Sequence, residues 1–323
     1  MTAADQATAP AATLDLKGLE ADNLLAFLAL LGLLRALDVA RPEWQARVAW
    51  RGVPPVAVLE LAEPATPNEV ASAVYNAVSL LASAYDFDGR KKVDFSVEEF
   101  GRAVREAARV QDARIARDRL SLLAALGSSG PPLPKQTGLS FYRSAMVLAD
   151  GDSQNFFLAR IQTLIDFGKV ESEFVEFIRN ALFDRWTRQT DAKSGALRWD
   201  PVEARPYAYR ARAPNDDSLD PPRTELGANI LAAIGLAALT VAPTSRGVMT
   251  IGMDGRGEGA TFTWPLWDKA ISYPAVCALL RRPELVFQTP EPSKLAHLGV
   301  FMLMRAQVVS IARLNVFSRA HPV

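Results

Sequence analysis

The sequence predicts an α+β fold, with mixed or antiparallel sheet elements at both ends and a helix-rich middle. Short segments of strand character, bounded by glycine and proline, occur towards both ends, for example Arg47–Trp50, Val56–Leu61 and Ala260–Trp264. Residues 96–190 instead show the apolar spacing of amphipathic helices. Because strands and helices do not alternate regularly, we expect no regular βαβ winding.

Composition limits the class of protein. A chain of 323 residues, 49% of them hydrophobic, can bury one large core or two ordinary ones. The single cysteine, Cys277, excludes an internal disulfide framework and fits a reducing cytoplasm. The longest apolar run, Leu24–Leu34, is too short to span a bilayer and ends at Arg35. We therefore expect a cytoplasmic protein that does not contact a membrane.

The N-terminal part begins with residues 1–12, which are small, polar and unpatterned and which we expect to be disordered. Thr13–Leu16 alternates like a short strand, and Asn23 can cap an apolar helix over Leu24–Leu37 that should be buried. Thr66 and the proline after it predict the start of a further helix ending near residue 84.

The middle of the chain opens with a capping box, Ser96 to Glu99. Residues 127–138 are rich in glycine and proline, and we predict a linker that neither a helix nor a strand crosses. A helix capped at residues 152–153 is expected to run through Ile165, and another to cover Val170–Phe183. After the capping box at Ser96, the arginines at 102, 105 and 109 share one helical face by their spacing.

The C-terminal part should contain a second buried helix over Thr224–Leu239. Gly247–Met253 and Ala260–Trp264 predict a hairpin, Ala275–Arg281 a short helix, and Val300–Phe317 one or two strands. The two buried helices resemble each other: asparagine, at 23 and 229, opens each, and each contains glycine where another backbone can approach.

The strongest candidate site is a segment in which arginines alternate with aromatic residues. Guanidinium groups and aromatic rings bind phosphates and stack on bases, and the segment offers no evident nucleophile or proton-transfer pair. The alternative is a structural strand whose arginines pair with Asp200, Glu203 and the acids at 216–217, and the sequence leaves both open. The candidate nucleic-acid-binding residues of this segment are Arg198, Arg205, Tyr207, Tyr209, Arg210 and Arg212.

Two further tracts are candidates for nucleic-acid contact. Lys135 and Gln136 lie in a polar loop able to reach a groove, and the turn at residues 85–95 carries a basic cluster suited to the phosphate backbone. The members of that cluster are Arg90, Lys91 and Lys92.

Catalytic and metal sites are not predicted. His297 and His321 are the chain's histidines, too few for a histidine-dependent hydrolase or a structural zinc site, and Cys277 belongs to an apolar helix. Acids at 86, 88 and 94 crowd one turn, where a solvated surface is the simpler interpretation than a magnesium site. We expect no catalytic residue, no metal and no cofactor.

Several motifs resemble proteins encoded with type I-G (formerly I-U) CRISPR systems, in particular the small form of the Cas8-like large subunit of their Cascade complexes. These motifs are Gly18-Leu-Glu-Ala-Asp-Asn-Leu-Leu-Ala-Phe-Leu-Ala-Leu-Leu-Gly-Leu-Leu-Arg35, Asp200-Pro-Val-Glu-Ala-Arg-Pro-Tyr-Ala208, Arg223-Thr-Glu-Leu-Gly-Ala-Asn229 and Trp264-Pro-Leu-Trp267. The resemblance is spread over most of the chain, except residues 96–190, and its motifs are hydrophobic rather than catalytic.

The resemblance implies a non-catalytic subunit of a crRNA-guided surveillance complex. Guide pairing would supply sequence specificity, while this chain would contact double-stranded target DNA beside the protospacer. The implied partners are the backbone subunits of the complex, the target DNA and the helicase–nuclease, which would dock on this chain. The chain's formal net charge of zero suits a surface that faces protein partners.

Two alternatives remain open at this point. One is an enzyme acting on a small molecule or nucleotide, with acids from 86–94 or 200–220, and the other is a purely structural assembly subunit. We divide the chain into a leader (1–12), an N-terminal α+β portion (13–95), a helical portion (96–190) and a C-terminal α+β portion (191–323). The two α+β portions form either one continuous domain or two.

Overall fold

The structure is a computed structural model that describes residues 12–132, 137–148, 156–167, 170–191, 195–204, 223–245, 247–285, 292–311 and 314–323. Its helices are α1 Leu24–Ala40, α2 Pro67–Leu81, α3 Val97–Ala108, α4 Ala113–Leu126, α5 Phe157–Asp166, α6 Glu171–Phe183, α7 Leu226–Gly235 and α8 Tyr273–Leu280. Its strands are β1 Ala12–Glu20, β2 Arg47–Arg51, β3 Val56–Leu61, β4 Gly127–Gly130, β5 Ser140–Arg143, β6 Thr190–Asp191, β7 Arg223–Thr224, β8 Val241–Thr244, β9 Gly247–Thr250, β10 Met253–Asp254, β11 Thr261–Trp267, β12 Ile271–Ser272, β13 Val300–Ile311, β14 Leu314–Phe317 and β15 His321–Pro322. The predicted α+β class is confirmed.

Strands near the two ends of the chain form two antiparallel sheets, of which the first combines strands from both ends. One has the strand order β1-β3-β2-β12, and the other β10-β11-β13-β14, with β15 also paired to β13. Because β12 pairs with β2, the C-terminal part completes the N-terminal sheet. The indole N–H of Trp267 also donates to the Val48 carbonyl at 2.7 Å. One hydrophobic cluster contains residues of all three predicted portions, such as Leu16, Ile161 and Trp264.

Helices α1 and α7 cross at the centre with their backbones in contact. A Cβ on Gly32 would lie 1.8 Å from the carbonyl oxygen of Leu231, and one on Gly235 would lie 2.3 Å from that of Leu28. Both distances are shorter than any van der Waals contact, so only glycine fits there. The prediction that glycine marks a backbone approach in each buried helix is confirmed.

The sequence predicts asparagine at the N-terminus of both helices, but the structure has it there in α1 only. Asn23 is the N-cap of α1 and accepts a hydrogen bond from the Leu25 N–H at 2.9 Å, as expected. For α7 the prediction is wrong: the N-cap position is Glu225, and Asn229 lies one turn inside the helix. The side chain of Asn229 instead bonds to Glu225 and Thr224 at the start of its own helix and to Leu197 and Glu203 in neighbouring segments.

Several predicted boundaries also need correction. A strand does enter the 127–138 segment, because Gly127–Gly130 pairs with β5 and a Cβ at Gly127 would lie 2.5 Å from the Phe141 ring. The hairpin at 247–264 is shorter than expected: β9 pairs with β8, and β10 alone pairs with β11 across the turn. The capping boxes at Thr66 and Ser96 are present.

Some predictions lie outside the described residues, namely the leader at 1–11 and the helix cap at 152–153. Ala12, the last residue of the predicted leader, already belongs to β1. In the ranges that the structure describes, every helix is too short or too polar to cross a bilayer.

Candidate functional site

Three of the four sequence motifs that carry the resemblance meet in one group of polar side chains, which we call the polar anchor. Its parts come from four places: the residue before α1, the chain after α6, the turn at 200–204, and β7 with the start of α7. The members of the polar anchor are Asn23, Arg188, Asp200, Glu203, Thr224, Glu225 and Asn229.

Asp200 is the centre of the first half of the polar anchor. Its residue is fully buried, and one carboxylate oxygen accepts a hydrogen bond from the Arg188 Nε at 2.7 Å. The other oxygen accepts from the Asn23 side-chain amide at 3.3 Å and from the Val202 N–H at 3.2 Å. A buried carboxylate is stable only when a cation and hydrogen-bond donors replace its water, and Asp200 has both.

Glu203 is the centre of the second half. Its Oε1 accepts hydrogen bonds from the Thr224 hydroxyl and from the Asn229 amide, the latter at 3.1 Å. Its Oε2 accepts from the Arg198 backbone N–H at 2.8 Å. Burial, together with the nearby Asp200 carboxylate, raises the pKa of Glu203 to about 7, although its hydrogen bonds act in the opposite direction.

Asn229 links Glu203 to the buried helix α7. Its amide nitrogen donates to the Thr224 hydroxyl at 2.8 Å and to the Glu225 carbonyl at 3.1 Å. Its side-chain oxygen accepts from the Leu197 N–H at 3.0 Å. This one side chain therefore bonds to residues on both sides of positions 205–222. An amide suits this position because it offers both donors and an acceptor.

Glu225 closes the group on its outer side. Burial raises the pKa of its carboxyl group, while a hydrogen bond from the Arg188 N–H, 3.3 Å from Oε2, lowers it. Arg188 therefore binds two acids, Asp200 with its side chain and Glu225 with its backbone.

The polar anchor joins the described chain on either side of residues 205–222, the segment that contains most of the predicted arginine–aromatic candidates. Glu203 and Thr224, one on each side of that segment, are joined by a hydrogen bond. Next to this point, Thr190 and Asp191 of β6 pair with β7. Five candidate residues fall within that segment, outside the described residues: Arg205, Tyr207, Tyr209, Arg210 and Arg212.

Arg198 is the described member of the segment. Its backbone has φ +67°, the left-handed region that non-glycine residues rarely adopt. The bond from its N–H to Glu203 and the burial of Leu197 and Trp199 on either side hold it in that conformation. The indole of Trp199 also donates to the Met146 carbonyl at 3.1 Å.

The hydrogen bonds and the ion pair of the polar anchor join separate segments of the chain. Asp200 and Glu203 are buried, and every carboxylate oxygen of the two already accepts a hydrogen bond. The cation on Asp200 is Arg188, from outside the arginine–aromatic segment. Among the described residues, no group of three His, Cys, Asp or Glu side chains is arranged to bind a metal ion.

The basic turn at residues 90–92 lies elsewhere, beside α3. The Arg90 guanidinium pairs with Asp94 at 3.1 Å and Glu99 at 2.9 Å, and lies 4.4 Å from the Phe95 ring centroid. The ammonium groups of Lys91 and Lys92 lie 5.9 and 5.2 Å from the ring centroid of Phe156.

Of the remaining acids in that turn, Asp88 faces Arg119 at 3.6 Å. Asp88 therefore takes part in an ion pair, as expected for a surface turn. The loop candidates Lys135 and Gln136 lie outside the described residues.

Sequence reasoning missed three members of the polar anchor: Arg188, Thr224 and Glu225. It also missed a second buried ion pair, in which Arg35 of α1 donates to Asp118 of α4 at 2.9 Å. A signal was present in the sequence, because Arg35 interrupts an otherwise apolar helix and a buried arginine requires a partner. Cys277 lies in α8, the predicted apolar helix, where it is buried, and burial raises the pKa of its thiol.

No protein-family model matches the chain, and no curated protein matches it.

Proposed function

We propose that this protein is a non-catalytic subunit of a crRNA-guided CRISPR surveillance complex of the type I-G class. In this proposal it contacts target DNA beside the protospacer and provides a docking surface for the helicase–nuclease. The observation that carries the proposal is the convergence of three resembling motifs, around Asn23, Asp200 and Asn229, on the polar anchor.

The polar anchor supports a recognition role for the segment that follows it. Fixing both ends of a chain segment reduces the volume that its side chains sample, and so reduces the entropy lost when they bind a ligand. The arginine and tyrosine side chains of this segment are of the types that bind phosphates and stack on bases. We assign DNA contact to Arg198, Arg205, Tyr207, Tyr209, Arg210 and Arg212, with Lys135, Gln136 and the basic turn at 90–92 as further contacts.

The acid-site enzyme is the less favoured alternative. Asp200 and Glu203 have hydrogen-bond donors on every carboxylate oxygen, and Asp88 and Asp94 have arginine partners. Proton transfer needs an acid whose oxygen can reach a substrate, and the Asp200 and Glu203 oxygens are buried and hydrogen-bonded, while Asp88 and Asp94 lie on an exposed turn. Magnesium-dependent turnover by the isolated chain, abolished by Asp88→Ala, would establish the enzyme instead.

The first experiment asks whether the chain assembles on a guide RNA. The tagged chain is expressed together with its neighbouring genes, purified, and its bound RNA is sequenced. We expect repeat-derived RNA and stoichiometric protein subunits to co-purify. A chain that elutes alone and free of RNA would exclude the surveillance-complex proposal.

The second experiment tests the arginine–aromatic segment in the assembled complex. Arg205→Ala with Arg210→Ala should weaken capture of target DNA and reduce the slope of log K against log salt by about 2, because each lost phosphate contact removes about 0.9. The matched control, Arg47→Ala with Arg185→Ala, removes two exposed arginines elsewhere. Equal binding by the two double variants would reject the site while leaving the assembly proposal intact.

A further inference from the structure

The α3–α4 hairpin carries a group of exposed arginines that the proposed site does not use. Helix α3 packs on α4 through a small apolar cluster of Phe100, Ala107 and Leu123, separate from the main core. Its opposite side faces solvent, as does the connection to α4 at residues 109–112 and the first turns of α4. The exposed arginines are Arg102, Arg105, Arg109, Arg114 and Arg117.

These arginines are not held by acids of their own surface. No hydrogen bond or ion pair joins any of the five to another described residue. Arg117 does face Asp38 and lowers the pKa of that carboxyl group, against the larger raising effect of burial.

The acids of the hairpin have other partners. Asp112 caps α4, accepting from the backbone N–H groups of Arg114 and Ile115. Asp118 pairs with the buried Arg35, and Glu99 caps α3 and pairs with Arg90. Glu98 and Glu106 are the acids left exposed on α3. The surface is therefore cationic although the whole chain is neutral.

The shape and composition of this surface fit a phosphate backbone better than an acidic protein. Protein interfaces bury an apolar centre, and none of the large hydrophobic side chains found exposed in the described residues lies between 97 and 126. Contacts to phosphates are instead polar and are made mainly by arginine and lysine. The adjacent groove of about 550 Å³ is lined by acids as well as arginines, so the exposed arginine face and not this groove is the candidate surface.

We infer that the exposed face of the α3–α4 hairpin binds the phosphate backbone of nucleic acid without reading its sequence. Arg102 and Arg105 lie one turn apart on α3, and Arg109 follows at its C-cap with a helical backbone conformation, so that the three can meet phosphates along one strand. Guanidinium groups present paired N–H donors that match phosphate oxygens. This inference does not depend on the surveillance complex, because it concerns the isolated chain.

The test measures binding of the full chain to a short fluorescein-labelled DNA duplex of mixed sequence by fluorescence anisotropy. The variant is Arg102→Gln, Arg105→Gln and Arg109→Gln together. The matched control is Lys17→Gln, Arg47→Gln and Arg185→Gln, which removes the same charge from other exposed positions. The duplex is titrated at several salt concentrations, and each protein's unfolding midpoint in urea is measured alongside.

We expect the α3 triple variant to bind about tenfold more weakly and its salt slope to fall by about 2 to 3, since three phosphate contacts are lost. The control should change affinity by less than about twofold, because dispersed charges act only through screened, long-range attraction. Replacing the same three arginines with lysine should restore much of the affinity. A second variant, Arg114→Gln with Arg117→Gln, tests the α4 side independently should the triple variant fold poorly.

Three results would overturn the inference. The first is that the wild-type chain does not bind DNA at low salt. The second is that the α3 triple variant and its control weaken binding equally. The third is that the α3 triple variant binds DNA as the wild type does but no longer binds poly-glutamate. The last result would identify an acidic protein as the partner of this face. None of them bears on whether guide RNA co-purifies with the chain, so failure here and failure of the proposed function are distinguishable.

Discussion

The polar anchor and the α3–α4 hairpin place the same kinds of charged group in opposite environments. In the polar anchor, the Asp200 and Glu203 oxygens are buried and each accepts a hydrogen bond. On the hairpin, arginines such as Arg102 and Arg105 are exposed and lack an acidic partner among the described residues. Because the groups of the polar anchor are desolvated, breaking one of their contacts is costly. Changing an exposed arginine of the hairpin costs little, because water solvates it.

The contrast distinguishes charged residues that stabilise the fold from charged residues that are available to bind a ligand. A buried group whose bonds are all made stabilises and positions the chain, and its loss should appear in the free energy of unfolding. An exposed group without a partner contributes little to folding, and its loss should appear only in binding. Variants of the two regions should therefore divide between stability and affinity.

Arg188→Met should have the largest effect on stability. It leaves the buried Asp200 carboxylate without its cation, which costs about 3 to 5 kcal/mol when one partner of a buried pair is removed. The measurement is urea unfolding. Arg185→Met, at an exposed position nearby, is the control and should cost less than about 0.5 kcal/mol. Similar unfolding midpoints for the two variants would show that the polar anchor does not stabilise the fold.

Asn229→Leu should follow, with a loss of about 2 to 3 kcal/mol in urea unfolding. Leucine fills a similar space but leaves the Leu197 N–H without its acceptor and removes a donor from Glu203. Asn68→Leu, on the exposed side of α2, controls for the change of residue type. A cost below about 1 kcal/mol would mean that water or a neighbour replaces these bonds.

The stability of the wild-type chain should fall as pH rises from about 5 to about 8, because of Glu203. Its ordinary pKa is 4.5, and the folded state raises it to about 7, so within this window the folded chain holds a proton that the unfolded chain has released. Raising the pH therefore favours unfolding, by on the order of 2 kcal/mol.

Glu203→Gln should flatten this pH dependence, as measured by urea unfolding across the same range. Part of the slope should remain, because burial also raises the pKa of Glu225. Glu98→Gln, at an exposed position of α3, should leave the slope as it is in the wild type. An unchanged slope in Glu203→Gln would mean that its three hydrogen-bond donors keep this carboxylate ionised at all these pH values.

Local sequence signals predicted the helices and their caps, but not which strands pair or which side chains meet. The helix over Leu24–Leu37, its cap at Asn23 and the capping box at Ser96 follow from residue types within a few positions, and all are present. The pairing of β9 with β8, and the turn of Asn229 towards Glu203, depend on segments that sequence spacing does not bring together.

The same limit applies to the candidate site. Asp200 and Glu203 were recognised as acids near a group of arginines, but the arginine that neutralises Asp200 is Arg188, which lies before the segment. Which of several nearby cations is buried with an acid is decided by tertiary packing. The exposed arginines of α3 were recognised as one helical face, and their lack of partners became visible only with the acids of α4 in place.

The triple change Arg102→Gln, Arg105→Gln and Arg109→Gln should have the smallest effect on folding. Glutamine keeps a good helix propensity and these side chains make no bond to a described residue, so the free energy of unfolding should change by less than about 0.5 kcal/mol. The measurement is the same urea unfolding used for the polar anchor. A loss above about 1 kcal/mol would mean that the arginines stabilise α3 through contacts beyond the described residues, and weaker DNA binding would then follow from a damaged hairpin. A large loss of affinity at unchanged stability is the one combination that separates a binding surface from a structural one.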